Sequence, residues 1–125
     1  MILLLDTHTL VWWLGDDPGL SPVARGAIAD AGNDVVVSAA TVWELTIKRA
    51  VGKIQLVENL AAAVEAAGFS GLPVTTHDAE AAAGLPPLHR DPFDRMLVAQ
   101  ALRLDATIVS RDRLLEPYGA PILPA

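Results

Sequence analysis

Short, wholly apolar runs alternate along this chain with longer stretches whose apolar residues recur every three or four positions. Ile2–Leu5 is the first such run, four β-compatible residues that stop at Asp6. The following THTLVWWLG has the make-up of a short helix ended by Gly15. SPVARGAIADAG carries both boundary marks of a second helix, with Ser21 as N-cap, Pro22 in the first helical position and Gly32 as the stop. DVVVS predicts a second buried strand. AATVWELTIKRAVGK, apolar at Val42, Trp43, Leu45, Ile47 and Val51, predicts a third helix, and the alanine-rich VENLAAAVEAAG, closed by Gly68, a fourth. LPVTTHDAEAAAGLPP offers a short strand, an N-cap at Thr76, a short helix and a Pro-Pro stop. A long helix starting at Pro92 and ending near Leu104, the strand ATIVS, a last helical turn in RDRLLEPYG and an edge strand in APIL complete the chain.

Strands therefore alternate with helices throughout, and the strands are apolar on both faces. That is the pattern of a parallel sheet covered on two sides. The predicted fold class is α/β: a three-layer α/β/α sandwich around a central parallel sheet, with residues 1–125 forming a single domain. No internal repeat, low-complexity tract or charge block interrupts it.

Composition adjusts this picture in three ways. Apolar residues make up 52% of the chain and charged residues 19%, above the usual apolar share of about 45–50%, which points to an oligomer interface. There is no cysteine, so disulfides, thiolate metal sites and a cysteine nucleophile are excluded, and any metal must be held by oxygen or imidazole. MILLLDTHTLVWWLG has no basic leading region, carries Asp6 and His8 and lacks a small-residue cleavage site, so it reads as part of the mature fold. No apolar run approaches the roughly 18–20 residues of a membrane span, and a soluble, cytoplasmic protein without membrane contact is expected. The net charge of −6 argues against nucleic-acid binding by general basicity. It leaves room for an enzyme that holds phosphates through a metal.

Ligands of an open parallel sheet gather beyond the carboxyl ends of its strands. There the sequence places Asp6 after the first strand, Glu44 on the helix after VVVS, and Arg111 and Asp112 after TIVS. The helix bearing Asp94 at its start runs antiparallel to the strand that follows, so Asp94 belongs at the same end. Each acid has a plainer explanation. Asp91 suits an N-cap with Asp94 at the third helical position, Asp6 and Asp112 also suit caps, and Glu44 stands four residues before Lys48 as a surface pair. As a set, however, Asp6, Glu44, Asp94 and Asp112 converge on one cleft, and four carboxylates in a low-dielectric cleft are costly unless a cation neutralises them. Hard oxygen donors with open water positions suit Mg2+ or Mn2+, and such sites serve phosphoryl chemistry.

The supporting cast is less specific. Lys48, Arg90 and Arg111 are the candidate phosphate contacts among the cations clustered near these acids, although each also balances surface charge. Trp12, Trp13 and Trp43 read as core or dimer-interface residues rather than base-stacking platforms. His8 and His89 are candidate general acids that a metal mechanism does not require. Thr7 and Ser110, beside site carboxylates, are expected to cap helices or position water.

LLLDTHTLVWWL, SAATVWELTIKRAVGKI, LPPLHRDPFDRMLVAQAL and ATIVSRDRLLEPYG together resemble, in order and spacing, the PIN domain and within it the VapC-type toxins of VapBC toxin–antitoxin pairs. The resemblance covers most of the chain. It implies a Mg2+- or Mn2+-dependent endoribonuclease whose acidic positions fall on Asp6, Glu44, Asp94 and Asp112, the set reached above from strand ends. Asp6 and Asp94 are expected to hold the metal directly, with Glu44 and Asp112 acting mostly through water. Asp91 matches a position commonly acidic in this subgroup. The implied partners are RNA and a small VapB-like antitoxin whose basic tail lies over the cleft, in a homodimer that becomes a heterotetramer or larger with the antitoxin. Two competing readings remain. A phosphatase or receiver-like protein also keeps an Asp after its first strand, but His8 stands where the phosphatase wants a second Asp, and the receiver's paired acids are missing. A catalytically silent PIN-like scaffold predicts no metal requirement.

Overall fold

The structure, a computed structural model, describes residues 1–125. Five parallel strands form one sheet in the order β3-β2-β1-β4-β5. In chain order the elements are β1 (Ile2–Leu5), α1 (Thr7–Leu14), α2 (Pro22–Ala29), β2 (Asp34–Ser38), α3 (Ala39–Ala50), α4 (Leu60–Ala66), β3 (Ser70–Leu72), α5 (Thr76–Gly84), α6 (Pro92–Leu104), β4 (Thr107–Ser110), a 3₁₀ turn (Arg113–Tyr118) and β5 (Ile122–Pro124).

The apolar runs become strands because both of their faces are buried. Leu3 and Leu5 point into a core shared with Leu10 of α1, Ala24 and Ile28 of α2, Leu45 of α3, and Leu60 and Val64 of α4. Leu4 points the other way, into a second core with Leu97, Val98 and Ala101 of α6, Ile108 of β4 and Leu115 of the 3₁₀ turn. The period-two alternation along one strand thus feeds two layers of helices. β1 lies at the centre of the sheet, so the residue after it, Asp6, emerges in the middle of the carboxyl edge.

Most helix boundaries follow local chemistry. Asp6, Ser21, Ser38, Asp91 and Asp112 each accept a backbone N–H at the start of their own element. Four boundaries differ from the expectation: α2 ends at Ala29 rather than at Gly32, β5 is Ile122–Pro124 rather than APIL, and α5 and β3 are shifted as well. The cap of α5 is Thr75 rather than Thr76, because Thr75 forms a capping box with Asp78, its hydroxyl accepting the Asp78 N–H while the Asp78 carboxylate accepts the Thr75 N–H. β3 is Ser70–Leu72, ahead of most of the LPVTT segment, because the partner strand β2 aligns Val36 with Ser70 and Ser38 with Leu72. No helix is long and apolar enough to cross a membrane.

Candidate active site

The strand ends bring the four predicted acids to one edge. Asp6 is buried: its Oδ1 accepts the Thr9 N–H at 2.9 Å and its Oδ2 accepts the Ser110 hydroxyl at 2.5 Å. Ser110 ends β4, the strand beside β1, and its Oγ in turn accepts the Asp112 N–H at 3.0 Å. One hydroxyl therefore ties Asp6 to Asp112. On the other side of β1, the buried Thr7 donates to Glu44 Oε1 at 2.5 Å, and Lys48 donates to Glu44 Oε2 at 2.8 Å. The expected positioning roles of Thr7 and Ser110 are thus visible as hydrogen bonds to site carboxylates.

Asp94 enters from the first turn of α6. Asp91 caps that helix, its Oδ1 accepting the N–H groups of Phe93 at 2.8 Å and Asp94 at 3.3 Å. His89 Nε2 lies 3.2 Å from Asp94 Oδ2 and 2.9 Å from Asp112 Oδ2, so the imidazole bridges the two acids. The other oxygen of Asp112 caps the 3₁₀ turn by accepting the Leu114 N–H at 2.9 Å. Protein donors thus engage both oxygens of Asp6, Glu44 and Asp112, whereas Asp94 offers Oδ1 free of any donor from the chain.

This crowding has an electrostatic signature. The Asp94 carboxyl is raised from its ordinary value of 3.8 to about 7, first by burial and next by the charge of Asp91, with Asp6 and Glu44 adding to the rise. A proton does for this cluster at neutral pH what a cation does better. The donor set fits a divalent metal. Oxygens of Asp94 and Asp112 lie within 4.8 Å of each other, Asp94 Oδ1 has no donor from the chain, and Asp6 and Glu44 stand near enough for their charges to act on Asp94.

The candidate phosphate contacts are placed differently from one another. Arg90 is exposed beside His89. Lys48 is committed to Glu44. Arg111, expected at a phosphate, instead lies over the Trp12 ring at 4.3 Å and donates to the carbonyls of Gly19 and Ala125, which fastens the chain's C-terminal residue to the α1–α2 loop. Trp43 is 63% exposed and meets Phe93 edge to face, so it is not a core residue. The expectation that assigned it to core or dimer interface keeps only its second half. Trp43, Ile47 and Val51 form an exposed apolar stripe along α3.

His89, in the sequence only a general-acid candidate, contacts two site carboxylates, which the sequence does not predict. The signal was the HRD tripeptide itself, but the approach of the ring depends on a brace far along the chain. Tyr118 accepts the His89 N–H at 2.8 Å and donates to Pro86 O, while Arg95 donates to the carbonyls of Ala83, Leu85, Pro86 and His89.

Residues 3–119 match the PIN domain. Ribonuclease VapC22 of Mycobacterium tuberculosis is 30% identical over 127 residues, which covers 95% of this chain and 93% of that protein. VapBC2 from Rickettsia felis, solved bound to a DNA fragment from its promoter, superposes with a TM-score of 0.71 at 17% identity, over 99% of this chain and 98% of that one. FitAcB from Neisseria gonorrhoeae gives a TM-score of 0.66 at 22% identity, over 98% and 96% of the two chains. These two likenesses concern the fold.

Proposed function

Because this chain belongs to the PIN-domain family, we propose that it is a metal-dependent endoribonuclease that acts as the toxin of a type II toxin–antitoxin pair. The observation that carries the reading is the gathering of carboxylates at the sheet's carboxyl edge, where protein donors fix Asp6, Glu44 and Asp112 while Asp94 keeps Oδ1 free and has its carboxyl raised to about 7. Such a cluster suits a site built for a cation and a phosphodiester. The near full-length similarity to a ribonuclease names the substrate class.

Asp94 and Asp6 would hold Mg2+ or Mn2+, and Glu44 and Asp112 would complete the site. A bound cation would supply activation of water and an offset for the charge that develops on the phosphoryl oxygens during hydrolysis. The chain's own groups do the rest. Ser110 and the Thr9 N–H fix the Asp6 carboxylate, and Thr7 and Lys48 fix that of Glu44, so these acceptors need little reorganisation when substrate arrives. Glu44 and Asp112 would orient the attacking water. Of the three candidate phosphate contacts, Arg90 is exposed, whereas Lys48 and Arg111 have partners within the chain, which favours Arg90 for an incoming phosphate.

The solved relatives that superpose on this chain include toxin–antitoxin complexes. By extension, a VapB-like antitoxin covers the acidic cleft, and the exposed stripe of α3 suits self-association into a homodimer within a larger assembly. The test uses purified, antitoxin-free protein and total RNA, with Mg2+ and with EDTA, beside the Asp6→Asn variant. Cleavage that needs the metal and is lost in a folded Asp6→Asn protein is expected. Cleavage at the wild-type rate in EDTA or by Asp6→Asn would refute the assignment, and failure of wild type to cut any RNA would favour the silent scaffold.

A further inference from the structure

We propose that His89 is a positioning residue that holds Asp94 and Asp112 in register through a neutral imidazole whose hydrogen is fixed on Nε2, and that it is neither a metal ligand nor a general acid. This rests on the metal-nuclease reading above and specifies one of its parts.

The argument starts from the other ring nitrogen. The backbone N–H of Asp91 donates to His89 Nδ1 at 3.1 Å, so Nδ1 must present a lone pair and carry no hydrogen. The ring's one hydrogen then sits on Nε2, where it faces Asp112 Oδ2 at 2.9 Å and Asp94 Oδ2 at 3.2 Å. Two alternatives fail on the same contact. A neutral histidine that binds a cation through Nε2 needs its hydrogen on Nδ1, and an imidazolium acting as acid needs hydrogens on both nitrogens. Either would set an N–H against the Asp91 N–H.

The rest of the residue is equally constrained. His89 N–H donates to Tyr118, His89 O accepts from Arg95, and the ring is largely buried, with a side-chain exposure of 12%. Arg95 follows Asp94 directly on α6, so the helix turn that delivers the ligand also anchors the loop that delivers its orienting donor. By occupying Oδ2 of both acids, the imidazole leaves Asp94 Oδ1 as the oxygen free for a cation. Donors that orient metal-binding groups in this way typically change metal affinity by about 10- to 100-fold when removed.

Three proteins test this: wild type, His89→Leu, which removes the donor, and His89→Gln, whose amide can restore one near the Nε2 position. Mn2+ affinity is read from the free-ion electron paramagnetic resonance signal of antitoxin-free protein, with thermal unfolding confirming that each is folded. His89→Leu is expected to bind Mn2+ about 10- to 100-fold more weakly, with most of the affinity recovered by His89→Gln. Equal or tighter binding by His89→Leu, or no recovery by a folded His89→Gln, overturns the proposal. Long-range 1H–15N correlation of the imidazole provides an independent readout on wild type alone. A hydrogen on Nε2, retained at saturating Mg2+, supports the proposal, and a hydrogen on Nδ1 in either state overturns it. If wild type binds no Mn2+ at all, the metal-nuclease reading itself fails, and this inference with it. Mn2+ binding that His89→Leu leaves intact removes the inference alone.

Discussion

Replacing Asp94 by Asn should make the metal-free protein more stable at neutral and alkaline pH while destroying its cleft chemistry. The Asp94 carboxyl binds its proton with a pKa of about 7 in the folded chain and near 3.8 when unfolded. Between about pH 4 and 7 the folded chain therefore retains a proton that the unfolded chain has released, so this residue's contribution to stability falls as pH rises through that window and levels off above it. The full difference corresponds to about 4 kcal/mol. The side chain is 23% exposed and its acidic neighbours can relax, so about 2–3 kcal/mol is the expected gain for the isosteric, uncharged Asn at pH 8. Asn keeps an oxygen to accept the His89 hydrogen bond, so no buried donor is orphaned. At about 4 °C per kcal/mol for a domain of this size, the melting temperature should rise by roughly 8–12 °C in EDTA. Urea or thermal unfolding at pH 8, 6 and 4 measures it. The advantage should shrink below pH 7 and nearly vanish by pH 4. Added Mn2+ should stabilise wild type and leave Asp94→Asn unmoved, narrowing or reversing the order. An Asn variant no more stable than wild type at pH 8 in EDTA, or an advantage independent of pH, would refute the reasoning.

Other perturbations probe the scaffold. Asp78, buried between α5 and α6, accepts from Arg103 at 2.6 Å and from Thr75, and the Arg103 guanidinium beside it holds its carboxyl down at about 2 despite burial. Asp78→Ala should cost about 1–3 kcal/mol in urea unfolding, through loss of the capping box and the ion pair. Because the folded pKa lies below the unfolded one, the wild-type contribution should be present above about pH 4 and disappear as pH falls towards 2. Arg111→Ala should lower stability by about 1 kcal/mol and shift the emission of Trp12 to the red, since it strips a guanidinium from that ring and frees the carbonyl of Ala125.

The same cluster accounts for the tension between folding and activity. Asp94 sits where its charge opposes stability until a cation arrives, and the surrounding donors hold the other acids in place rather than neutralising Asp94. Lys48 is the exception, matched to Glu44 at 2.8 Å. Sites shaped for chemistry commonly carry such a cost.

Much of this was legible in the sequence because it depends on neighbours within a few residues. Asp6, Ser21, Asp91 and Asp112 cap because a short polar side chain can reach an N–H two or three residues on, and Ile2–Leu5 is a strand because both its faces are apolar. Placement of the four acids at one edge followed from parallel topology alone, which sets every strand's carboxyl end on the same side. What only the tertiary structure decided lies between residues far apart in the chain. His89 reaches Asp112 because Tyr118 and Arg95 fold its loop inward, Arg111 spends its guanidinium on Trp12 and the carbonyls of Gly19 and Ala125, and Trp43 faces solvent although its helix neighbours Glu44 and Leu45 are buried. Backbone hydrogen bonds and apolar periodicity are short-ranged along the chain and can be read from it. The partner of a long polar side chain depends on how loops pack, and that is settled only when the whole fold closes.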